Sequence, residues 1–373
     1  MALRKGFDLF PHGTYHELFE SAFHNGRVGF MVRRRRAFAV TVATALVFSA
    51  GVSAQKKEEK KQSDAQKKEI QNAIKIVDDV VAGKPAPNDF GLAWAREDFL
   101  KAQDNRGYVP FTVTITPKSN GNVAFYWRVV KAQGPAAAAA PAKKDEDQAK
   151  RPEYAYEDVS FVPVTVGTSP TRITRSFAVA AGTYDVYAIV KEPLDKKNNP
   201  APKVSVLKQT VTVPDFWNDE LNTSTVIVTT RIDPLPAPLT MQQQAERPYA
   251  LGNLELQPAW DLKLSKKDDL ATFMMIYNPK VDTANKPNVT VEYTFYAKAD
   301  GAEKFFNKTS PQDLNAETLP PQFDLAAGHQ LQSGQAVPLA SFPEGDYRLE
   351  IKVIDKNSNK SLTRDVNFTV TAS

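Results

Sequence analysis

The chain has 373 residues, with 47 Lys and Arg, 43 Asp and Glu, four His and no Cys. Without cysteine it can form no disulfide, no thiolate nucleophile and no lipid anchor on a thiol. The formal net charge is +4, but residues 1–54 hold seven basic and three acidic side chains, which leaves 40 of each sign in the rest. Such a balanced chain lacks the basic face that nucleic-acid binding usually needs, so we predict no nucleic-acid partner.

Histidine chemistry is nearly excluded as well. Three of the four histidines precede residue 25, and only His329 follows. A His-based triad, metal site or general base would rest on that residue alone, in the Gly- and Gln-rich segment 326–334. We predict a solvated loop side chain there.

Residues 31–54 have the order of a secretory signal. Four arginines at 33–36 precede an apolar run at 37–52, and Val52-Ser53-Ala54 supplies a small-x-small cleavage site. We predict a signal peptide that is cut between Ala54 and Gln55. The apolar run is shorter than the roughly 20 residues of a spanning helix, which favours a cleaved signal. An uncleaved anchor is the alternative.

Residues 1–30 show no sustained periodicity. We interpret them as an upstream extension from a start codon assigned too early, with translation beginning at Met31. The expected location is the bacterial periplasm or cell surface, reached by general export. Arg35-Arg36 leaves twin-arginine export as the alternative.

Residues 55–83 are predicted to form a charged segment followed by an amphipathic helix. Ile70, Ile74, Val77 and Val81 follow helical spacing, and the helix should span 63–82, with Ser63 as its N-cap. Its polar face mixes Lys with Asp and Glu. This mixture favours packing on the helix's own domain over a partner helix or a membrane-surface helix.

After Tyr108 the hydrophobic period changes to two, which predicts β-strands. Segments 109–116 and 123–130 flank a Ser-Asn-Gly-Asn turn and are predicted to pair as a hairpin. The Pro/Ala/charged stretch 134–152 is predicted to be a disordered insert. The other predicted strands are 159–166, 171–178, 183–190, 204–213, 224–232, 253–256, 270–277, 288–298, 335–340, 347–354 and 364–370.

An internal repeat supports two similar domains. Residues 181–190 and 344–353 each place a Gly before a Tyr, with apolar residues two, four and six positions later. Gly-x-Tyr resembles the tyrosine corner of immunoglobulin-like sandwiches. The chain thus resembles exported bacterial proteins with tandem immunoglobulin-like domains. The resemblance implies an all-β chain, with a first sandwich at 84–216 and a linker and second sandwich at 217–373.

The remaining motifs for chemistry are weak. Segment 355–360 matches the start of a calcium loop, but Lys360 and Val366 replace the required Gly and Glu, so we predict a polar hairpin tip. Ser205 and Lys208 fit S-x-x-K only within a strand pattern. The adjacent acids lie among Lys or Asn and are expected to be solvated; they are Asp78/Asp79, Asp215/Asp219 and Asp268/Asp269.

Several aromatic residues are candidates for a carbohydrate-binding surface or for packing between the predicted domains. The candidates are Tyr126, Trp127, Phe216, Trp217, Trp260, Phe305 and Phe306. Tyr126 and Trp127 alternate faces on a strand, so one of them is expected in the core. Phe216 and Trp217 lie between the predicted domains and are expected to pack at their interface.

The expected function is that of an exported, non-enzymatic structural or protein-binding β-sandwich protein. We predict no catalytic residue, cofactor or metal, and a protein or envelope component as partner. Membrane association is expected only with an uncleaved signal. The alternatives are a carbohydrate-binding module and a hydrolase that uses paired carboxylates in a cleft between the domains.

Overall fold

The computed structural model describes residues 63–132, 154–193, 201–299 and 301–372. They form two compact units, with the boundary between Asp215 and Phe216. Both units are built mainly of antiparallel sheets, and a helix precedes the first, so the all-β immunoglobulin-like prediction is confirmed. The predicted signal peptide, its Ala54/Gln55 cleavage site, residues 1–30 and the insert 134–152 lie outside the described residues.

The first unit contains helix α1 (Asp64–Val81) followed by strands β1 to β8. The strands are β1 (Ala93–Glu97), β2 (Leu100–Lys101), β3 (Arg106–Ile115), β4 (Gly121–Lys131), β5 (Tyr156–Val164), β6 (Thr171–Ala180), β7 (Gly182–Lys191) and β8 (Val204–Val213). In one sheet, β1 and β2 pair with one edge of β3 and β6 pairs with the other. The facing sheet has the order β5-β4-β7-β8.

Strands β3 and β4 lie in different sheets, so the predicted hairpin is wrong. The turn between them carries the chain from one layer of the sandwich to the other. The alternating side chains of both strands, such as Phe111 and Phe125, meet in the core between the layers. Alternation and a turn predict two adjacent strands in sequence, but they do not distinguish pairing within a sheet from crossing between sheets.

The second unit contains strands β9 to β20, a short helix α2 (Met241–Glu246) and a 3₁₀ turn (Leu339–Ser341). The strands are β9 (Asn222–Thr223), β10 (Ile227–Pro234), β11 (Ala250–Leu251), β12 (Leu254–Pro258), β13 (Lys263–Ser265), β14 (Asp269–Tyr277), β15 (Val289–Ala299), β16 (Ala302–Lys308), β17 (Gln312–Leu314), β18 (Leu331–Pro338), β19 (Gly345–Asp355) and β20 (Lys360–Thr371). One sheet runs β11-β12-β10-β14-β18 with β9 beside β14; the other runs β13-β20-β19-β15-β16 with β17 beside β15.

The two units share one strand plan. In each, the strand that contains the repeated tyrosine, β7 or β19, lies between the strand that follows it and an earlier strand, β4 or β15. The cores lie between the two sheets of each unit, and every described member of each is buried or half-buried.

The repeated tyrosines occupy equivalent corners, as predicted. The Tyr184 hydroxyl donates to the Ala180 carbonyl at 3.1 Å, and the Tyr347 hydroxyl donates to the Pro343 carbonyl at 2.8 Å, four residues upstream in each case. The preceding glycines have φ angles of 144° and 145°, which side chains other than glycine rarely adopt. Both tyrosines are buried, and burial raises the pKa of each phenol.

Candidate interaction surfaces

Helix α1 covers the outer face of the β4-β7-β8 layer. Ala73 and Val77 are fully buried on the helix, against Tyr126, Ile189 and Val206 of the sheet. The helix starts with a reciprocal cap, in which the Gln66 amide donates to Ser63 Oγ at 3.2 Å and the Ser63 amide donates to Gln66 Oε1 at 2.9 Å. The prediction that the helix packs on its own domain is confirmed.

Two ion pairs fix the helix to the sheet. Lys191 Nζ lies 2.6 Å from Glu69 Oε2 and also donates to the Glu192 carbonyl at 2.8 Å. The Lys191 side chain is completely buried and that of Glu69 is 10% exposed. Burying two charges this deeply is costly unless both are well paired and hydrogen-bonded. Because a shift of the helix would break these contacts, the pair favours one position of α1 on the sheet.

The second ion pair lies further along the helix, and its buried member, Arg128, belongs to a hydrogen-bonded network. Arg128 donates to Asp78 Oδ1 at 2.6 Å and to the Tyr126 hydroxyl at 2.8 Å. The guanidinium also lies 4.0 Å from the ring centre of Tyr154, a cation–π distance. The Tyr126 hydroxyl in turn donates to Glu157 at 2.7 Å. Asp78 is exposed, as predicted, and the structure adds that it is the ion-pair partner of the buried Arg128.

The corresponding face of the second sandwich is charged, and no helix of the described residues packs on it. Arg348 of β19 contacts Glu303 at 2.8 Å, Glu350 at 2.9 Å and Asp365 at 2.6 Å. Hydrogen bonds to Glu303 first, then to the other two carboxylates, raise the pKa of Arg348 despite partial burial. The guanidinium also lies 4.5 Å from the centre of the Tyr296 ring.

The outer edge of β8 exposes backbone groups. Near its start, the Val206 amide donates to the Pro87 carbonyl and the Val204 carbonyl accepts from the Asp89 amide, so the even-numbered residues direct their backbone groups away from β7. By the same alternation, Lys208, Thr210 and Thr212 direct theirs outward. Their side chains are exposed, and no backbone–backbone hydrogen bond between described residues reaches this stretch of edge. The Thr210 carbonyl accepts a hydrogen bond from the neighbouring Gln209 side chain at 3.2 Å.

The predicted aromatic platform is dispersed. Trp127 lies in the core between the sheets, as predicted for one of the pair, and Tyr126 on the opposite face is buried beneath helix α1. Phe306 packs against the second core, with its ring 4.8 Å from that of Phe342. Among the candidates, Trp217, Trp260 and Phe305 are exposed, at 40%, 39% and 61%.

Phe216 is buried and stacks edge-on against Tyr277 at 5.1 Å within the second unit. The Asn278 side chain donates to the Phe216 carbonyl at 3.0 Å, which fixes the start of this unit. A role for Phe216 and Trp217 in joining the two units stays a prediction.

The structure corrects the prediction for His329. The side chain is only 8% exposed, and Nδ1 accepts from the Asp324 amide at 2.9 Å. Burial lowers the pKa of this imidazole, an effect that nearby Asp324 partly opposes. The loop around it turns back on itself, which the loop-like composition alone did not indicate.

Segment 355–360 forms a hairpin tip between β19 and β20, as predicted. Asp355 is 1% exposed; its carboxylate accepts from the Lys280 amide at 2.8 Å and the Ser358 hydroxyl at 2.5 Å. These contacts use the carboxylate to hold the turn. Ser205 Oγ accepts from the Phe90 amide at 2.8 Å, whereas Lys208 pairs with Asp185 at 2.9 Å, so the two residues serve different contacts.

Most of the described Asp, Glu, Lys, Arg and His residues lie at the surface, in line with a chain expected to hold its titratable groups in solvent. Six residues of these types are buried; they are Glu69, Asp98, Arg128, Lys191, His329 and Asp355. Asp98 pairs with Arg96 at 2.6 Å, and the contacts of the others are given above. The Lys191–Glu69 and Arg128–Asp78 pairs join residues that are 122 and 50 positions apart, and a single sequence does not reveal such pairing.

The adjacent acids Asp215/Asp219 and Asp268/Asp269 are exposed, as expected. Within the described ranges, three or more His, Cys, Asp or Glu residues nowhere group in a way that could hold a metal ion. Among the helices of those ranges, none combines the length and the apolar character needed to cross a bilayer.

Comparisons with known proteins add little to this geometry. No protein-family model matches the chain, and no curated protein matches it. Among solved structures, red sea bream transglutaminase is 8% identical, with a TM-score of 0.18, over 74% of this chain and 31% of its own. Salmonella alpha-2-macroglobulin reacted with methylamine is 15% identical, with a TM-score of 0.20, over 77% of this chain and 17% of its own.

Trypsin-activated alpha-2-macroglobulin from Escherichia coli gives 14% identity, a TM-score of 0.20, and coverage of 78% and 17%. The chain therefore spans less than a third of each of these proteins. The likeness is a distant one among β-rich chains, and at such TM-scores it carries no argument for function. The immunoglobulin-like class rests on the strand pairing described above.

Proposed function

We propose that this chain is an exported, non-enzymatic protein of the bacterial envelope that binds another protein chain through a sheet edge. The observation that carries the proposal is the outer edge of β8, where three successive outward positions make no backbone–backbone hydrogen bond among the described residues. Such an edge can add a strand from another chain, with affinity supplied by main-chain hydrogen bonds.

The buried charges support a structural role over catalysis. Lys191 with Glu69 and Arg128 with Asp78 attach α1 to the sheet, and Asp355 holds a hairpin. The buried side chains of Lys191, Arg128 and Asp355 thus each take part in contacts that hold the fold together. The export part of the proposal rests on the arginine block, the apolar run and the Val52-Ser53-Ala54 site.

The export proposal is tested by fractionating native cells and sequencing the N-terminus of the recovered chain. We expect an envelope product that begins at Gln55 or within a few residues of it. A cytoplasmic product that retains residues 1–30 would contradict both export and the assignment of Met31 as the start.

The binding proposal is tested by photo-crosslinking in the same cells. A photoreactive side chain at Thr212, on the β8 edge, should yield covalent adducts, and the same group at exposed Lys267 in the second unit should yield far fewer. Equal yields from both positions would contradict binding through this edge.

A carbohydrate-binding role is the second candidate, and one observation favours it. Phe305 is 61% exposed and directly opposes Tyr296 across the β15–β16 pair, so both rings lie on one sheet face. Neighbouring aromatic faces can stack on sugar rings. If this role holds, Phe305→Ala should weaken the binding of envelope polysaccharides in a titration, whereas Trp260→Ala should leave it unchanged.

A further inference from the structure

Outer strands normally carry features that block further pairing, and β8 is poor in them. Such features are prolines, inward charges, bulges and exposed lysines. Among the other long outer strands of the described ranges, β5 carries Pro163, β6 carries Arg172 and Arg175, β18 ends at Pro338, and β16 joins its neighbour through a bulge.

By contrast, β8 pairs with β7 in an uninterrupted register over its whole length. Its final residues are Gln-Thr-Val-Thr-Val, a β-favouring sequence without charge. Its one charged residue, Lys208, is paired with Asp185 at 2.9 Å on the same face. The strand is thus long, regular and nearly neutral, and no described strand pairs with its outward edge.

We infer that the β8 edge pairs with the β8 edge of a second copy of this chain, antiparallel and centred on Thr210. This inference rests on the proposed function, because it names the partner of the same edge. The even-numbered residues direct their backbone groups outward, so two copies can exchange hydrogen bonds only in a register that opposes even residues to even residues.

The register centred on Thr210 meets that condition without opposing like charges. Thr210 lies opposite Thr210 of the second copy, and Lys208 lies opposite Thr212 of the second copy. Cross-strand Thr pairs are favourable, and the strand already makes one with β7, where Thr183 Oγ1 and Thr212 Oγ1 lie 3.2 Å apart. The contact is isologous, so it closes as a dimer.

The charge complement of β8 favours this occupant over an unrelated segment. An edge evolved for a charged peptide would be expected to present unpaired charges beside its outward backbone groups. The exposed positions here are instead two threonines and a lysine already paired with Asp185. A second β8 matches this neutral pattern. The short contact predicts a weak dimer, in the micromolar range or weaker.

The self-pairing is tested on the purified full-length chain by sedimentation velocity over a range of concentrations. We expect a monomer–dimer equilibrium, and Thr210→Pro should raise the dissociation constant at least about tenfold, because it removes a central outward donor. Thr210→Val is the matched control, since it removes the hydroxyl but keeps the amide, and it should dimerise nearly as the parent chain does.

A charge pair tests the register itself. Thr210→Glu and Thr210→Lys should each be monomeric, because like charges would oppose one another at the two-fold axis, and an equal mixture should recover the dimer. The residue is exposed, so neither change should unfold the chain.

Three results would overturn the inference. They are a chain that stays monomeric at all concentrations, a dimer that persists in Thr210→Pro, and charge variants that fail to recover on mixing. A monomeric chain that still gives β8 crosslinks to another protein in cells would overturn self-pairing while leaving the proposed function intact. Unprocessed cytoplasmic chain would contradict that function without affecting the dimer measured in solution.

Discussion

The equivalent sheet face is covered by a helix in the first sandwich and is exposed to solvent in the second. In the first, the outer face of β4, β7 and β8 is apolar around two buried cations and lies beneath α1. In the second, the equivalent face of β15, β19 and β20 carries Arg348 among three carboxylates that are 30–49% exposed. One strand plan therefore supports either a covered or an open face, and the outward residues of the central strands decide which.

The contrast predicts different energetic weights for the two sets of ion pairs. Lys191→Met leaves Glu69 buried without its partner and should lower the free energy of unfolding by about 3–5 kcal/mol. Arg348→Met, on the open face, should cost about 0–1 kcal/mol, because water screens its carboxylates. Urea denaturation measures both, and hydrogen exchange assigns each loss to its unit.

The double variant Lys191→Met with Glu69→Leu is the control for the buried pair. It removes both charges and replaces them with apolar groups of similar size, so most of the lost stability should return. Equal costs for Lys191→Met and Arg348→Met would show that the two faces do not differ in the way the burial indicates.

The tyrosine corners predict similarity where the faces predict contrast. Tyr184→Ala and Tyr347→Ala should each cost about 3–5 kcal/mol, because each leaves a cavity in its core. The Phe variants should each cost about 1 kcal/mol, since they lose only the hydrogen bond to Ala180 or Pro343. A large cost at one corner and a negligible cost at the other would contradict their equivalence.

The sequence predicted what depends on local pattern. Helix α1 was placed within one residue at each end, because apolar spacing, Ser63 and Gly83 all lie within the segment itself. The exact span of β8 and the equivalence of the two corners followed from alternation and from Gly-x-Tyr. In these segments, local propensity and tertiary context favour the same structure.

What escaped prediction depends on contacts between distant segments. The residues Glu69 and Lys191 are 122 positions apart, and each looked like an ordinary charge in its own segment. The burial of Tyr126 could not be predicted, because no local signal indicates that a helix about 50 residues earlier covers it. Strands β1, β13 and β16 were missed because they are short or charged, and their pairing comes from the sheet they join.

Helix α1 itself offers a smaller test of the covered face. Val77 is fully buried and Val81 is 50% exposed, so Val77→Ala should cost about 2 kcal/mol and Val81→Ala only a few tenths. Hydrogen-exchange protection of residues 64–81 should fall in the first variant and stay near that of the parent chain in the second. Similar protection in both would mean that the ion pairs alone hold the helix.

The smallest expected effect again separates the two units, this time by pH. Burial lowers the pKa of His329 below its ordinary value of 6.5, while the first unit contains no histidine from residue 63 to Asp215. Near pH 6 the unfolded chain therefore binds more protons than the folded one at this site. The contribution of His329 to stability is fully present above pH 6.5 and declines as the pH falls toward the folded-state pKa.

Protonation at Nδ1 would also break the hydrogen bond from the Asp324 amide. The ammonium of Lys286 donates to the nearby Phe323 carbonyl at 2.6 Å, and its charge further disfavours a positive charge on His329. The stability of the second unit should thus decrease between pH 7 and 5.5 while that of the first stays level. His329→Asn retains an acceptor but cannot titrate in this range, so it should remove the slope. A slope that survives in His329→Asn, or appears equally in the first unit, would assign the pH dependence to other groups.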